Sequence, residues 1–494
     1  MSVCRFQSVL AVAITLTVGW HIGPAWAGPP NFILFLADDL GYGDLGCYGS
    51  PINRTPNLDQ FASQGVQLTD CHSAGTICSP SRAGLLTGRH PYRLGFTYLT
   101  NKTSFLRSEE VTLAEVLKER GYQTAFFGKW HLSLLDDADQ PDPGQQGFDD
   151  WLATTLNAFE GPENPLHFVR NGKKTGKLEG WYCDILVRES LAWLKKIDPD
   201  KPFFLFVSLH EPHTPLAPPD SLAKEFRQPE LLKRIEDQNY GGVKRDNRAE
   251  IEQAANYFGT IKQLDDAFGK FISTFDETQH KDNTLVFFTS DNGPEHPVNF
   301  EESKGEWEDP IRDNCYGTPG PFRGMKRFPY EGGHRVPGLI RWPALLPAGI
   351  ESNQLVNGTD FLPTVVQLVG AKPFTDRPLD GASVLGAFAG SPVKRASPPL
   401  WMFPIHGDSY TRMPHLAIRE GRYSLLGWFP DKRADESLSE WAGRSTPKRF
   451  ELFDLLKDPG QSNDLAASEP QLTLELSQAM TKKWIEMRDS HRTP

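Results

Sequence analysis

Cys78-Ser79-Pro80-Ser81-Arg82 sets a thiol two residues ahead of a proline and four ahead of an arginine, and an apolar run closed by Thr87-Gly88-Arg89 follows. Proline fixes φ and supplies no amide donor, so it suits the first turn of a helix. A helix opening just after the cysteine would put Cys78 at the positive end of the helix dipole, where free amides favour anions. A plain thiol nucleophile would need a His and an Asn or Asp arranged as in cysteine hydrolases. No such signature surrounds Cys78.

Carboxylates cluster at Asp38-Asp39 and again at Asp291-Asn292. Adjacent carboxylates repel and lose hydration on burial, so Asp38-Asp39 needs a cation unless it lies in a solvated turn. Asp38, Asp39, Asp291 and Asn292 make an oxygen-only ligand set, which suits a hard divalent cation, calcium ahead of magnesium. Three carboxylates on one dication leave negative charge, for which Arg82, Lys129 and Lys326 are available. Lys129 and His131 stand two apart; on extended backbone they would share a face and could reach one anion.

The elements that must position these residues read as apolar runs of strand length. Asn31 to Ala37, Gln123 to Phe127, Pro202 to Ser208 and Thr284 to Ser290 have the pattern of strands buried on both faces of a parallel sheet. They deliver, in turn, Asp38-Asp39, Gly128-Lys129-Trp130-His131, His210-Glu211-Pro212-His213 and Asp291-Asn292-Gly293. Helices are expected over Asn57 to Gln64, from the capping box Thr112-Leu-Ala-Glu115 to Gly121, over Trp181 to Ile197 and over Ala249 to Phe275. This alternation predicts an α/β layered fold whose ligands bind at the C-terminal strand edge. Leu132 to Gly180 is rich in Asp, Pro, Gly and Gln and reads as long loops near the site. Pro373 to Pro399 reads as a connection, Leu416 to Trp428 as a hairpin turning at Glu420-Gly421, and Leu472 to Met487 as an amphipathic helix.

Taken in order, these motifs resemble the type I sulfatases, the formylglycine-dependent, arylsulfatase-like branch of the alkaline phosphatase superfamily. The likeness runs from Asn31 to about Ala466 and includes Lys326 ahead of Glu331-Gly332-Gly333 and the strand motif Phe450 to Leu455. The family often carries a small residue where Met325 stands and a Gly or Ser where Arg327 stands. The resemblance implies an alkaline-phosphatase-like α/β sandwich, with a large mixed, mostly parallel central sheet between helices. A small C-terminal α+β subdomain with an antiparallel sheet is expected to follow it. The expected division is a signal peptide over 1–27, a catalytic domain over 28–375 and the subdomain over 376–494.

The resemblance also implies the chemistry. A formylglycine-generating enzyme would convert Cys78 to formylglycine (3-oxoalanine), and one hydroxyl of its hydrate would join Asp38, Asp39, Asp291 and Asn292 on the metal and attack sulfur. Lys326 and His213 would stabilise the sulfate and protonate the leaving oxygen. His131 would take the proton of the second hydroxyl, and Arg82 and Lys129 would hold the hydrate. The expected substrate is a sulfate monoester of a saccharide, with aryl sulfates incidental; Trp151, Arg170, Trp307 and His406 are candidates for sugar contact. Two rival readings are a phosphonate or phosphodiester hydrolase on the same site and a non-catalytic carbohydrate-binding relative with Cys78 unmodified.

A net charge of −11 gives no electrostatic footprint for nucleic acid, so an anionic substrate must be held by local cations or a metal. Residues 1–27 carry Arg5, an apolar run from Val9 to Val18 and Ala25-Trp26-Ala27, the pattern of a secretory signal peptide cleaved near Ala27. That run is too short to span a bilayer, and no later segment reaches ~18 apolar residues. A secreted or periplasmic protein without a transmembrane segment is therefore expected. With Cys4 in the signal, Cys47, Cys71, Cys183 and Cys315 form either one or two disulfides or four buried thiols. Sequons stand at Asn53, Asn101 and Asn357.

Overall fold

The computed structural model describes residues 28–238, 240–241, 251–296, 315–372, 374–405 and 413–490. The expected signal peptide 1–27 and the sugar-contact candidates Trp307 and His406 lie outside these residues. Strands run in chain order as β1 (Asn31–Ala37), β2 (Val66–Leu68), β3 (Cys71–His72), β4 (Gln123–Lys129), β5 (Asp150–Thr154), β6 (Val169–Arg170), β7 (Lys173–Lys174) and β8 (Phe203–Ser208). They continue as β9 (Thr284–Ser290), β10 (Gly338–Arg341), β11 (Ile350–Ser352), β12 (Val356–Asn357), β13 (Leu400–Met402), β14 (Leu416–Glu420), β15 (Tyr423–Trp428) and β16 (Arg449–Asp454).

Among the described residues, ten strands form one sheet in the order β11-β2-β10-β9-β1-β8-β4-β5-β6-β7. From β9 across to β5 every neighbour is parallel. On one side β10 runs antiparallel to both β9 and β2, and on the other β6 and β7 add antiparallel strands. The central strands are apolar throughout because both faces are covered. Ile33, Phe35 and Ala37 of β1 join a core beneath the helices Pro56–Ser63, Tyr182–Leu194 and Ile251–Phe275. Phe32, Leu34 and Leu36 face the opposite core, against the helices Cys78–Thr87, Leu113–Glu119 and Phe361–Leu368. This alternation is the two-residue period of a strand.

Register brings the strand ends level. Ala37 of β1 is opposite Ser290 of β9, Leu36 is opposite Ser208 of β8, and Ser208 is opposite Gly128 of β4. The last pair is so close that a Cβ on Gly128 would lie 1.8 Å from the Ser208 carbonyl oxygen, and Gly128 takes φ 122. Only glycine accepts both conditions.

After β12 the chain packs Val384, Ala387 and Phe388 onto the large sheet's core. A separate core then forms around Trp401, Leu425, Leu452, Met480 and Trp484, between the antiparallel sheet β13-β14-β15-β16 and the helix Pro470–Asp489. The expected hairpin is present: Glu420 pairs with Tyr423, and Gly421 turns at φ 54.

One expectation changes and one open alternative is decided. Leu132 to Gly180 is not loop throughout, because β5 continues the parallel sheet inside it and takes Trp151 into the core at 4% exposure. Cys47, Cys71 and Cys183 are free thiols, and Cys315 is buried, which favours the alternative without disulfides. No helix among the described residues is long and apolar enough to cross a membrane.

Candidate active site

The site is assembled where β1, β4, β8 and β9 end. Asp39, just past β1, takes φ 64, a left-handed conformation uncommon outside glycine and typical of strained functional turns. Its amide donates to Asp291 Oδ1 at 3.3 Å. Asp38, Asp39, Cys78 and Asp291 are buried, and each offers a ligand atom within 4.8 Å of the others. Asn292 donates from Nδ2 to Asp39 Oδ1 at 2.7 Å, while its buried Oδ1 has no hydrogen-bond partner. An orphan acceptor beside crowded carboxylates is the surrounding a hard cation satisfies, so the donor set fits a divalent metal ion.

Cys78 is the first residue of its helix, and Sγ donates to Asp38 Oδ1 at 3.5 Å. Burial pushes the thiol well up despite the nearby cations Lys129 and Lys326. A thiol held protonated in this way is a poor nucleophile.

Three cations grip the carboxylates. Lys129 Nζ donates to Asp38 Oδ2 at 2.5 Å. Arg82 reaches Asp291 Oδ2 through Nε at 2.9 Å and through Nη2 at 2.8 Å, and donates from Nη1 to the Lys129 carbonyl and to Ser208 Oγ. Lys326 Nζ lies 2.7 Å from Asp39 Oδ2 and 3.2 Å from Glu295 Oε2. Burial works against Asp38, yet Lys129, His213 and Arg82 hold it well below the usual carboxylate range. Burial, reinforced by the Asp38 charge, pushes Asp291 up to about 7. With all three carboxylates ionised, the three cations leave the cluster near neutrality, so a bound dication would make it net positive and receptive to an anion.

The histidines differ. His131 follows β4 at φ 54, so it does not share a strand face with Lys129 as extended backbone would require. It is buried with neither ring nitrogen hydrogen-bonded, and burial followed by Lys129 and Arg82 keeps it well below 6.5, hence neutral. His213 Nε2 lies 3.6 Å from Asp39 Oδ2, and its side chain is 16% exposed where Lys129 and Asp38 are fully covered.

The ten residues expected to hold the metal or act on the sulfate meet here. Asn157, which the sequence did not flag, donates from Nδ2 to Asp38 Oδ2 at 2.7 Å and contacts His210 Nδ1 at 3.1 Å. No local pattern marks it. Ser208 and Glu295 were also missed, although Ser208 ends a predicted strand and Glu295 stands two residues past Asp291-Asn292-Gly293. Arg327, at the position where the family often has Gly or Ser, takes φ 80 and pairs with Glu295. Trp151 is a core residue, and Arg170 pairs with Glu189 beside Gln123 and Asp150, at the opposite ends of β4 and β5 from the site.

The sulfatase family profile matches residues 30–371. The chain belongs to the sulfatase family. A second profile, for the C-terminal part of N-sulphoglucosamine sulphohydrolase, matches residues 322–490 of this sulfatase. It is 32% identical to arylsulfatase A of Homo sapiens over 498 residues, covering 94% of this chain and 89% of that one. It is 31% identical to N-acetylgalactosamine-6-sulfatase of Canis lupus familiaris over 428 residues, covering 81% and 72%. The crystal structure of Ps i-CgsB in complex with k-i-k-neocarrahexaose superposes with a TM-score of 0.74 at 26% identity, covering 94% of each chain. This sulfatase is accordingly a sulfuric ester hydrolase with the alkaline-phosphatase-like fold.

Proposed function

We propose that this sulfatase cleaves sulfate monoesters of a sulfated saccharide with a nucleophile derived from Cys78, matured to formylglycine by a formylglycine-generating enzyme. The observation that carries this reading is the place of Cys78, which opens a buried helix within 4.8 Å of the ligand oxygens of Asp38, Asp39 and Asp291. A buried thiol with a raised pKa lacks the reactivity that this position calls for. Asp38, Asp39, Asp291 and Asn292, with the side chain made from Cys78, would hold a dication, calcium ahead of magnesium. When present, the ion neutralises anionic charge and the aldehyde hydrate supplies the attacking hydroxyl and a second one that allows release of sulfate.

The chain's own groups do the rest. Arg82 and Lys129 fix the carboxylates against their mutual repulsion. Lys326 keeps its proton, because the Asp39 and Glu295 carboxylates outweigh the effect of burial, and it offers a constant positive charge to the sulfate. His213 donates from Nδ1 to the Thr214 carbonyl at 2.5 Å, so Nε2 can donate to a leaving oxygen only in the imidazolium form, which burial disfavours and the Asp39 and Asp38 charges favour. The neutral His131 has one unprotonated ring nitrogen, with no hydrogen-bond partner, free to accept a proton. Support for a saccharide comes from the N-acetylgalactosamine-6-sulfatase relative and the neocarrahexaose-bound neighbour. Export through the 1–27 signal would bring the enzyme to such polymers.

The test is the mass of the peptide containing Cys78, from protein made with and without the generating enzyme. A loss of about 18 Da that tracks hydrolysis of an aryl sulfate supports the reading. Activity that persists with the thiol intact refutes it.

A further inference from the structure

Behind the active site lies a group of ionisable side chains, buried except for the partly exposed Arg335, that the proposed chemistry does not use: Asp70, His72, Glu331, His334, Arg335 and Arg419. Asp70, His72 and Glu331 come within reach of a common point, as metal ligands would. Their charges are already met. Arg419 donates to Asp70 from Nη1 and Nη2 at 3.2 and 3.1 Å and to Glu331 Oε2 at 2.7 Å, and Arg335 reaches the same two carboxylates at 3.2 and 3.3 Å. His72 joins Asp70 at 2.8 Å and His334 at 2.9 Å, and both imidazoles are kept neutral chiefly by burial. A balanced network of this kind holds structure rather than a cation.

What it holds is the loop that carries Lys326. Arg419 belongs to β14, and Trp401 of β13 stacks on His334 with ring centroids 4.0 Å apart. Gln461 Oε1 accepts the Glu331 amide at 2.9 Å. From there the loop is stitched to the site itself: Gly293 N donates to the Gly333 carbonyl, Lys326 N to the Pro294 carbonyl, and Arg327 N to the Thr76 carbonyl. Gly333 is packed so tightly that a Cβ would lie 1.9 Å from the Phe328 carbonyl oxygen, so displacement at Glu331 passes on to Lys326 rather than being absorbed.

We propose that Arg419 is a positioning residue, through which the C-terminal sheet sets the place of Lys326 against Asp39. The inference rests on the assignment of Lys326 to the sulfate. Arg419→Lys keeps the charge and loses the fork to Asp70, and Glu331→Gln keeps the shape and loses the ion pair; either alone carries the test if the other does not fold.

Each folded variant is assayed with an aryl sulfate, alone and combined with Lys326→Ala. The expected result is a fall in kcat of about tenfold with KM changed by less than about threefold, shrinking to less than about twofold in the Lys326→Ala background. An equal loss in both backgrounds overturns the positioning role. If Lys326→Ala alone leaves turnover unchanged, the assignment of Lys326 fails first, and the proposal with it.

Discussion

Arg82 Nε and Nη2 both close on one oxygen of Asp291, at 2.9 and 2.8 Å, and so tie the helix that starts at Cys78 to the end of β9. The same guanidinium reaches the Lys129 carbonyl and Ser208 at the ends of β4 and β8. A lysine has the charge but not the planar fork. Arg82→Lys should therefore lower stability by about 2 to 4 kcal/mol, measured by thermal unfolding, and turnover should fall by at least about a hundredfold.

His131 makes the opposite prediction. Its ring nitrogens have no hydrogen-bond partners to lose, and its φ of 54 suits asparagine. His131→Asn should change stability by less than about 1 kcal/mol and lower kcat by about a hundredfold. A large drop in Tm with kcat retained would contradict the assigned role.

Arg327 combines an unfavourable φ of 80 with an ion pair to Glu295, which also lies 3.2 Å from Lys326. Glycine would relieve backbone strain of about 1 kcal/mol but take the guanidinium away from Glu295, whose charge would then draw more strongly on Lys326. Arg327→Gly should raise KM for a sulfate ester, and adding Glu295→Gln should recover most of the loss. Initial rates across substrate concentrations decide it.

Dication removal bears on the carboxylate cluster. Asp38, Asp39 and Asp291 are buried together, and ligand binding to the native state alone stabilises it by mass action. Protein stripped with a chelator should melt at a lower temperature and recover with added calcium, more fully than with magnesium. An unchanged Tm on adding either ion would remove the metal from the reading.

Acid sensitivity should arise far from the site, where Asp380 clamps Arg93 at 2.9 Å and Arg93 in turn holds Glu486 of the C-terminal helix at 2.6 Å. Burial favours the protonated acid, but Arg93 and Lys483 hold the Asp380 carboxyl below 3.8. A depressed carboxyl stabilises the fold above its unfolded pKa, and that contribution drains as pH falls through the folded value. Asp380→Asn should cost about 3 kcal/mol at neutral pH, and the difference from the parent should shrink below about pH 4. Urea unfolding across that range measures it.

The strand ends and their chemistry were readable because burial on both faces writes itself as an unbroken apolar run, as in Phe32 to Ala37 and Leu285 to Phe288. Residues that follow such a run are set at the sheet's C-terminal edge by topology alone, which made Asp38, Asp39, Asp291 and Asn292 visible. The short β5 escaped notice because Asp150–Thr154 lies in a polar, glycine-rich stretch and is a strand only through its pairing with β4.

By itself, then, the sequence determined the four long central strands, the helix at Cys78 and the oxygen-rich character of the site, all of which depend on local period and residue chemistry. Tertiary structure alone decided which residues meet across the chain. Asn157 reaches Asp38 from 119 positions away, and Arg419 reaches Asp70 from 349 positions away. Such contacts leave no local pattern, because their partners are brought together by strand order and packing rather than by neighbours in the chain.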